Sequence, residues 1–296
     1  MSKQRILPIG IMSFDRPDYL ETVLQTVVRQ LGYGGWTPRF FLFQDGSQDE
    51  KSGTAYADPE QIREAVAVFK RYLPEGNVVL APFNLGVAHN FDRAERLFFV
   101  DHAYEAAVFL EDDMPLQPHY MEVLTELIDM AIAHPHIGLV SAYGLSKDMP
   151  IAEQRAKSKT LCLMNEHNWA FGITRQCWQA RNKIVTQYLE IIDGLSYRDR
   201  KEKHPEINHM LRSLGRGGKG YLSSQDSIKN MACEVLGIHR VSTHTNNARY
   251  IGRKGLHMTE ERFFSLGYHR TVLYNEPHGG FEVPSAESLR MLRKVL

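Results

Sequence analysis

Ala106-Ala107-Val108-Phe109-Leu110-Glu111-Asp112-Asp113-Met114-Pro115 is an apolar run of strand length that ends in three consecutive carboxylates. Three adjacent acids repel one another, and the exit of a buried strand tolerates them only beside a counter-charge. A divalent cation held by hard oxygen ligands, itself gripping a ligand's phosphates, meets that need. The carboxyl end of a parallel strand is also where open α/β sheets bind ligands. The plainer reading is a strand followed by a solvated acidic turn, closed by Met114-Pro115.

The flanking sequence places this strand fourth in a regular alternation. Residues 6–12 are a compact apolar run, broken by Ser13-Phe14-Asp15-Arg16-Pro17. Leu20, Val23, Leu24, Val27, Val28 and Leu31 then fall at the spacing of a helix that lies on one face of a sheet and ends at Gly32. Residues 40–43 form a second strand closed by the turn Gln44-Asp45-Gly46-Ser47, and Ile62, Val66, Phe69 and Leu73 mark a second helix. A third strand over 77–81 and a helix over 87–100 complete the approach to the acidic stretch. Beyond it, Leu124, Leu127, Ile128, Ala131 and Ile132 predict a helix, and residues 137–141 a strand. Strands alternating with amphipathic helices through short loops predict an α/β fold: a Rossmann-like, doubly wound, mostly parallel central sheet flanked by helices.

The alternation weakens after residue 145. Residues 168–173 read as a strand opening a second half, followed by a helix over 175–192. The polar, basic stretch 197–220, with Arg212, Arg216, Gly217, Gly218 and Lys219, reads as a long loop. Ser223-Ser224-Gln225-Asp226 precedes Ile228, Met231, Ala232, Val235 and Leu236, a capped amphipathic helix.

Composition narrows the function classes. The 296 residues include 35 Lys plus Arg and 35 Asp plus Glu, so no global field recruits nucleic acid or an anionic membrane. The three cysteines, Cys162, Cys177 and Cys233, are odd in number and lack CxxC spacing. They read as buried thiols in a reducing compartment rather than as a zinc site or a bridge between Cys162 and Cys177. The N-terminus lacks the apolar core of a signal peptide, and no run reaches the roughly 18 apolar residues of a membrane span, so a cytoplasmic location is expected.

Asp15-Arg16, Asp45-Gly46, Glu111-Asp112-Asp113 and Asp226 all fall at strand exits or helix starts. Together they offer what a nucleoside diphosphate needs: an acceptor for a base imide, a cation for phosphate and acidic oxygens for a metal. The order Ser13-Phe14-Asp15-Arg16, Phe43-Gln44-Asp45-Gly46, Glu111-Asp112-Asp113, then Tyr250-Ile251-Gly252-Arg253-Lys254-Gly255 resembles the GT-A-fold glycosyltransferases. The likeness is strongest to inverting N-acetylglucosaminyltransferase I and its O-mannose relatives, and it spans most of the chain. The family's Trp-Asp-Asp-Trp segment has no literal match; Ser224-Gln225-Asp226-Ser227 stands at its position.

The resemblance implies a nucleotide-sugar-binding α/β half over 1–145 and an acceptor-binding and catalytic-base half over 146–296, in one GT-A domain. It implies a UDP-sugar donor, a divalent metal (Mn2+ or Mg2+) and an acceptor hydroxyl on a glycan, protein, small molecule or modified nucleic-acid base. Ser13, Asp15, Arg16, Asp45, Glu111, Asp112, Arg253 and Lys254 would bind the nucleotide sugar. Among these, Arg16 would contact the nucleotide, Asp45 the uracil N–H, and Arg253 and Lys254 the departing diphosphate. Asp113 would ligate the metal and Asp226 would be the general base; apart from the resemblance, His257 in the tail is a candidate second ligand or a surface histidine. Trp169 is a candidate acceptor wall. A sugar nucleotidyltransferase or a catalytically inactive nucleotide-sugar or carbohydrate-binding domain are the alternatives. Against the first, the opening strand runs into Ser13-Phe14-Asp15-Arg16 rather than a glycine-rich phosphate loop.

Overall fold

The computed structural model describes residues 4–164, 166–195, 199–216, 224–255 and 258–295. The chain runs β1 (Ile6–Ser13), α1 (Pro17–Val27), β2 (Thr37–Gln44), α2 (Pro59–Tyr72), β3 (Asn77–Leu80), α3 (Gly86–Arg96) and β4 (Ala106–Glu111). It continues through α4 (Tyr120–Ala133), β5 (Ile137–Ser141), α5 (Ile151–Ala156), β6 (Leu161–Leu163), β7 (Phe171–Thr174) and α6 (Arg175–Ile191). α7 (His204–Ser213), α8 (Gln225–Val235), β8 (His239–Thr243), α9 (Glu260–Ser265) and α10 (Ala286–Val295) complete it.

The described strands form one sheet in the order β3-β2-β1-β4-β7-β5-β8-β6. The β3-β2-β1-β4 block and the β5-β8 pair are parallel, whereas β7 and β6 run against their neighbours. The expected α/β architecture with a mostly parallel sheet is therefore present.

Period-two alternation sorts the strand side chains onto two faces. Leu7, Ile9, Ile11, Val108 and Leu110 pack with α1, α2 and α4, while Phe41, Phe43, Ala107, Phe109 and Phe171 pack with Phe91 and Phe98 from the other side. Phe109 is fully buried, a gain of roughly 1.5–3 kcal/mol over leaving it exposed. In α1, Pro17 starts the helix and Leu20, Val23, Leu24 and Val27 are its buried stripe. The predicted stripe runs too far: the helix ends at Val27, and Val28 and Leu31 are exposed.

Further expectations need correction. The 87–100 helix changes at Leu97–Asp101 to a wider π turn. The strand placed at 168–173 occupies Phe171–Thr174 and is antiparallel, wedged between β4 and β5. The stretch read as a loop carries a 3-10 turn at Asp199–Lys203 and α7, whose Ile207, Met210 and Leu211 are buried; Gly217, Gly218 and Lys219 lie outside the described residues. All three cysteines are free and buried: Cys162 faces the Ser242 and Thr243 carbonyls, and Cys177 lies against Cys233. Among the described residues no helix is long and apolar enough to cross a membrane.

Candidate nucleotide and acceptor site

The strand exits of β2, β1 and β4 are neighbours on one edge: Ser13 is in register with Gln44, and Met12 with Glu111. This edge gathers the loop after β1, the turn after β2 and the acidic triplet. The tail crosses the same edge as an extended strap. Gln117 N–H donates to Asn247 O, Arg249 N–H to Pro115 O and Ile251 N–H to Asp113 O, which delivers residues 252–255 to the triplet.

The triplet's counter-charge within the chain is Arg16. Its guanidinium pairs with Asp112 Oδ1 and, at 2.9 Å, with Asp113 Oδ2, and donates to Lys254 O at 3.4 Å. Asp112 and Asp113 are 3% and 4% exposed. Burial pushes the Asp112 carboxyl up to about 7, with Arg16 opposing and Asp113 reinforcing the shift. Burial likewise raises Asp113, against the pull of Arg16. Glu111 is driven well above the ordinary range by burial and by the charges of Asp113, Asp226 and Asp112. Asp15, half-buried beside Arg16, is also raised by burial.

One oxygen in this cluster has no partner. Asp113 Oδ1 is buried and unbonded, a hard donor of the kind that a divalent cation takes. A Cβ on Gly252 would stand 2.5 Å from Tyr250 Oη and 2.6 Å from Asp113 Oδ2, so the strap passes this carboxylate only as glycine. Among the described residues no group of three His, Cys, Asp or Glu forms a metal cluster. The unpaired Asp113 Oδ1 is the donor among these residues that fits a divalent cation. His257 lies outside the described residues.

Asp45 has work of its own. Its Oδ1 accepts from Gly46 N–H at 2.9 Å and Leu85 N–H at 2.8 Å, and its Oδ2 from Gly86 N–H at 3.0 Å and Asn84 Nδ2 at 3.4 Å. The carboxylate thus fastens the start of α3, where Gly86 takes a left-handed φ of 72°. Burial pushes it up to about 6 against these donors. The unpaired acceptor nearby, Gln44 Oε1, is one that the sequence reading missed. Gln44 Nε2 donates to Phe14 O and Asp45 O, which fixes the amide's orientation and leaves Oε1 buried and unpaired, in register with the unpaired Ser13 Oγ.

Asp226 approaches from α8. Ser224, not Asp226, caps that helix: its Oγ accepts from Ser227 N–H at 3.1 Å. Asp226 is therefore available, half-buried, and held by Gln225 Nε2 at 2.7 Å and Asn168 Nδ2 at 3.3 Å, with the Asn168 backbone N–H also donating. Asn168 is itself fixed by Asn230 and Arg240. Burial raises the Asp226 carboxyl, and Lys229, His167 and Asn168 pull it back.

Trp169 is partly exposed, and its indole stacks on His167 at 4.3 Å and on Tyr250 at 4.5 Å between ring centroids. His167 is the exposed member of that column. The Arg253 guanidinium stands over Phe263 and Phe264 while the Arg253 backbone N–H donates to Tyr19 Oη, and Lys254 is exposed. The structure thus brings together Ser13, Arg16, Asp112, Asp113 and the 252–254 backbone, with Glu111 within electrostatic reach of Asp226; Asp45 sits beside them in a fastening position.

No protein-family model matches the sequence, and no curated protein matches it. Solved structures of similar shape include a Staphylococcus aureus TarS fragment (TM-score 0.46, 10% identity, covering 84% of this chain and 61% of that one). Another is the mannosyltransferase PcManGT of Pyrobaculum calidifontis in complex with GDP-Man and Mn2+ (TM-score 0.38, 15% identity, 80% and 70% covered). A third is glucosyl-3-phosphoglycerate synthase of Mycobacterium tuberculosis with Mn2+, UDP and glucosyl-3-phosphoglycerate (TM-score 0.41, 13% identity, 74% and 83% covered). The chain spans about three fifths of the TarS fragment.

Proposed function

We propose that the protein is a metal-dependent GT-A-type glycosyltransferase. It moves a hexose or N-acetylhexosamine from a UDP-sugar to an acceptor hydroxyl, with inversion, in the manner of the N-acetylglucosaminyltransferase I group. The observation that carries the reading is Asp113 Oδ1, a buried unpaired carboxylate oxygen at a parallel strand's exit, with Asp226 within electrostatic reach of the neighbouring Glu111.

The base end of the donor fits beside Ser13 Oγ and Gln44 Oε1, where an imide N–H meets an acceptor that has no other partner. Asp45 shapes this end by fastening the start of α3. Arg16 is placed to share its charge between the triplet and a phosphate, and the 252–255 strap lies over the same edge with Arg253 and Lys254. Asp113 would hold the metal, which supplies charge neutralisation for the departing diphosphate. Glu111 and Asp112 face the sugar.

Asp226 accepts the acceptor hydroxyl's proton as the new C–O bond forms and the bond to diphosphate breaks. A single in-line displacement of this kind inverts the anomeric centre. A positioned base contributes roughly 10²–10⁴-fold, so Asp226→Asn is expected to lower transfer by about that factor while leaving UDP binding intact. UDP release from a panel of UDP-sugars, with and without candidate acceptors, tests the reading. Release from at least one donor, removed by Asp226→Asn, supports it; silence across all donors with Mn2+ or Mg2+ present refutes it.

A further inference from the structure

We propose that Lys229 is a positioning residue: the positive charge left over in the buried Glu95, Arg181 and Lys229 trio holds Asp226 as an ionised carboxylate. The proposal rests on the reading of Asp226 as the general base. Glu95 on α3, Arg181 on α6 and Lys229 on α8 have side chains 1%, 0% and 3% exposed. Glu95 Oε1 takes both cations, Arg181 Nη2 at 2.5 Å and Lys229 Nζ at 2.8 Å. Two cations against one carboxylate leave one positive charge in the interior, a costly arrangement unless another anion completes it.

Asp226 lies three residues before Lys229 on the same helix, the spacing that makes side chains neighbours. The groups facing Lys229 are Glu95, Arg181, Asp226 and the Phe91 ring 4.7 Å away. Those facing Asp226 are Lys229, His167, Asn168 and, from β4, Glu111. Glu111 and the other triplet acids disfavour a charge on Asp226, so an ionised base needs a cation on its protein side. Lys229 is the one on its own helix. The competing acid is a buried thiol: Cys177 and Cys233 both face Arg181, and the hydrogen bond between them lowers Cys233 to about 7, with Arg181 assisting, while it raises Cys177. They face Arg181 rather than Lys229, so the two halves of the trio are balanced from different sides.

Lys229→Met leaves Glu95 paired with Arg181, so the interior stays balanced and the chain is expected to fold. The test follows the Asp226 carboxyl-carbon NMR signal with pH in the full chain, in the wild type, Lys229→Met, Lys229→Arg and Cys233→Ala. The expected result is a wild-type midpoint below neutrality, a rise of at least about one pH unit in Lys229→Met, recovery in Lys229→Arg and no change in Cys233→Ala. The acidic limb of kcat for transfer moves with it, so that Lys229→Met loses about tenfold below the limb and recovers at higher pH with donor KM unchanged. A wild-type midpoint above neutrality, an unshifted Lys229→Met or an equal shift in Cys233→Ala overturns the proposal. The wild-type titration decides even where the variant is unstable. If Asp226→Asn still transfers sugar, the base reading falls on its own, whatever the titration shows.

Discussion

Asp113 carries two tasks on two oxygens, Oδ2 on Arg16 at 2.9 Å and Oδ1 buried without a partner. Asp113→Ala is expected to abolish the metal-dependent part of UDP binding, read by calorimetry in matched titrations with Mn2+ and with a chelator; metal enhancement that persists in the variant would remove Asp113 from the site. Gly252→Ala tests the same carboxylate from the other side, since the added methyl meets Tyr250 Oη at 2.5 Å and Asp113 Oδ2 at 2.6 Å. Metal-linked affinity is expected to fall at least tenfold with a small change in stability, and an unchanged titration would show that the strap yields there. The triplet was legible in sequence because three acids after an apolar run need a counter-charge. Its counter-charge in the chain was not legible, because Arg16 and Asp112 are 96 residues apart and only the β1 and β4 pairing joins them. Asp45 was readable as a turn residue after a strand but not as the fastening of α3, which depends on N–H groups some 40 residues away. The unpaired Gln44 Oε1 depended on where its own amide nitrogen bonds.

At the scale of the element, α8 joins a conventional cap to a buried charge. Ser224→Ala removes the hydrogen bond to Ser227 N–H and is expected to cost about 1 kcal/mol in a denaturant titration. Glu95→Ala strands Arg181 and Lys229 in the interior, and about 3–5 kcal/mol is expected to be lost. The pH dependence of stability follows from the same group. Burial raises the Glu95 carboxyl, but Arg181 and Lys229 more than offset it, and the folded group sits below the ordinary glutamate range. A depressed folded value means that the unfolded state binds the proton first on acidification. The stabilisation from Glu95 is therefore complete above the ordinary range and lost as pH falls through the folded value. Urea midpoints that decline on acidification in the wild type and decline less in Glu95→Gln would bear this out; parallel curves would contradict it. The helix itself was readable from Ile228, Met231 and Ala232. Lys229 within that buried stretch was a signal in plain sequence, but its partners come from α3 and α6.

Across the whole molecule, β1 to β5 could be read, β7 only in part, and β6 and β8 could not. β1, β2 and β4 are apolar runs separated by amphipathic helices, the pattern of a parallel sheet. β8 is His239-Arg240-Val241-Ser242-Thr243, polar at four positions yet buried throughout. Some of its polar groups are met by tertiary bonds, such as Ser242 Oγ to the carbonyls of Ser141 at 2.8 Å and Tyr143 at 2.7 Å, which no local pattern reveals. α7 has only Ile207, Met210 and Leu211 to mark it among polar neighbours. β7 crosses the sheet's centre through Gly172, where a Cβ would meet Ile128 Cγ1 at 2.7 Å and Val140 Cγ2 at 3.1 Å. Gly172→Ala is expected to lose about 1–3 kcal/mol by overpacking, measured by urea unfolding; an unaltered midpoint would mean that α4 moves aside freely. The strand exits, the strap and α8 meet at one edge of this sheet, where binding of UDP and a divalent metal is expected. Calorimetry of the full chain with UDP, with and without Mn2+, measures it most directly: tighter UDP binding with the metal is predicted, and binding that is absent or indifferent to the metal would contradict it.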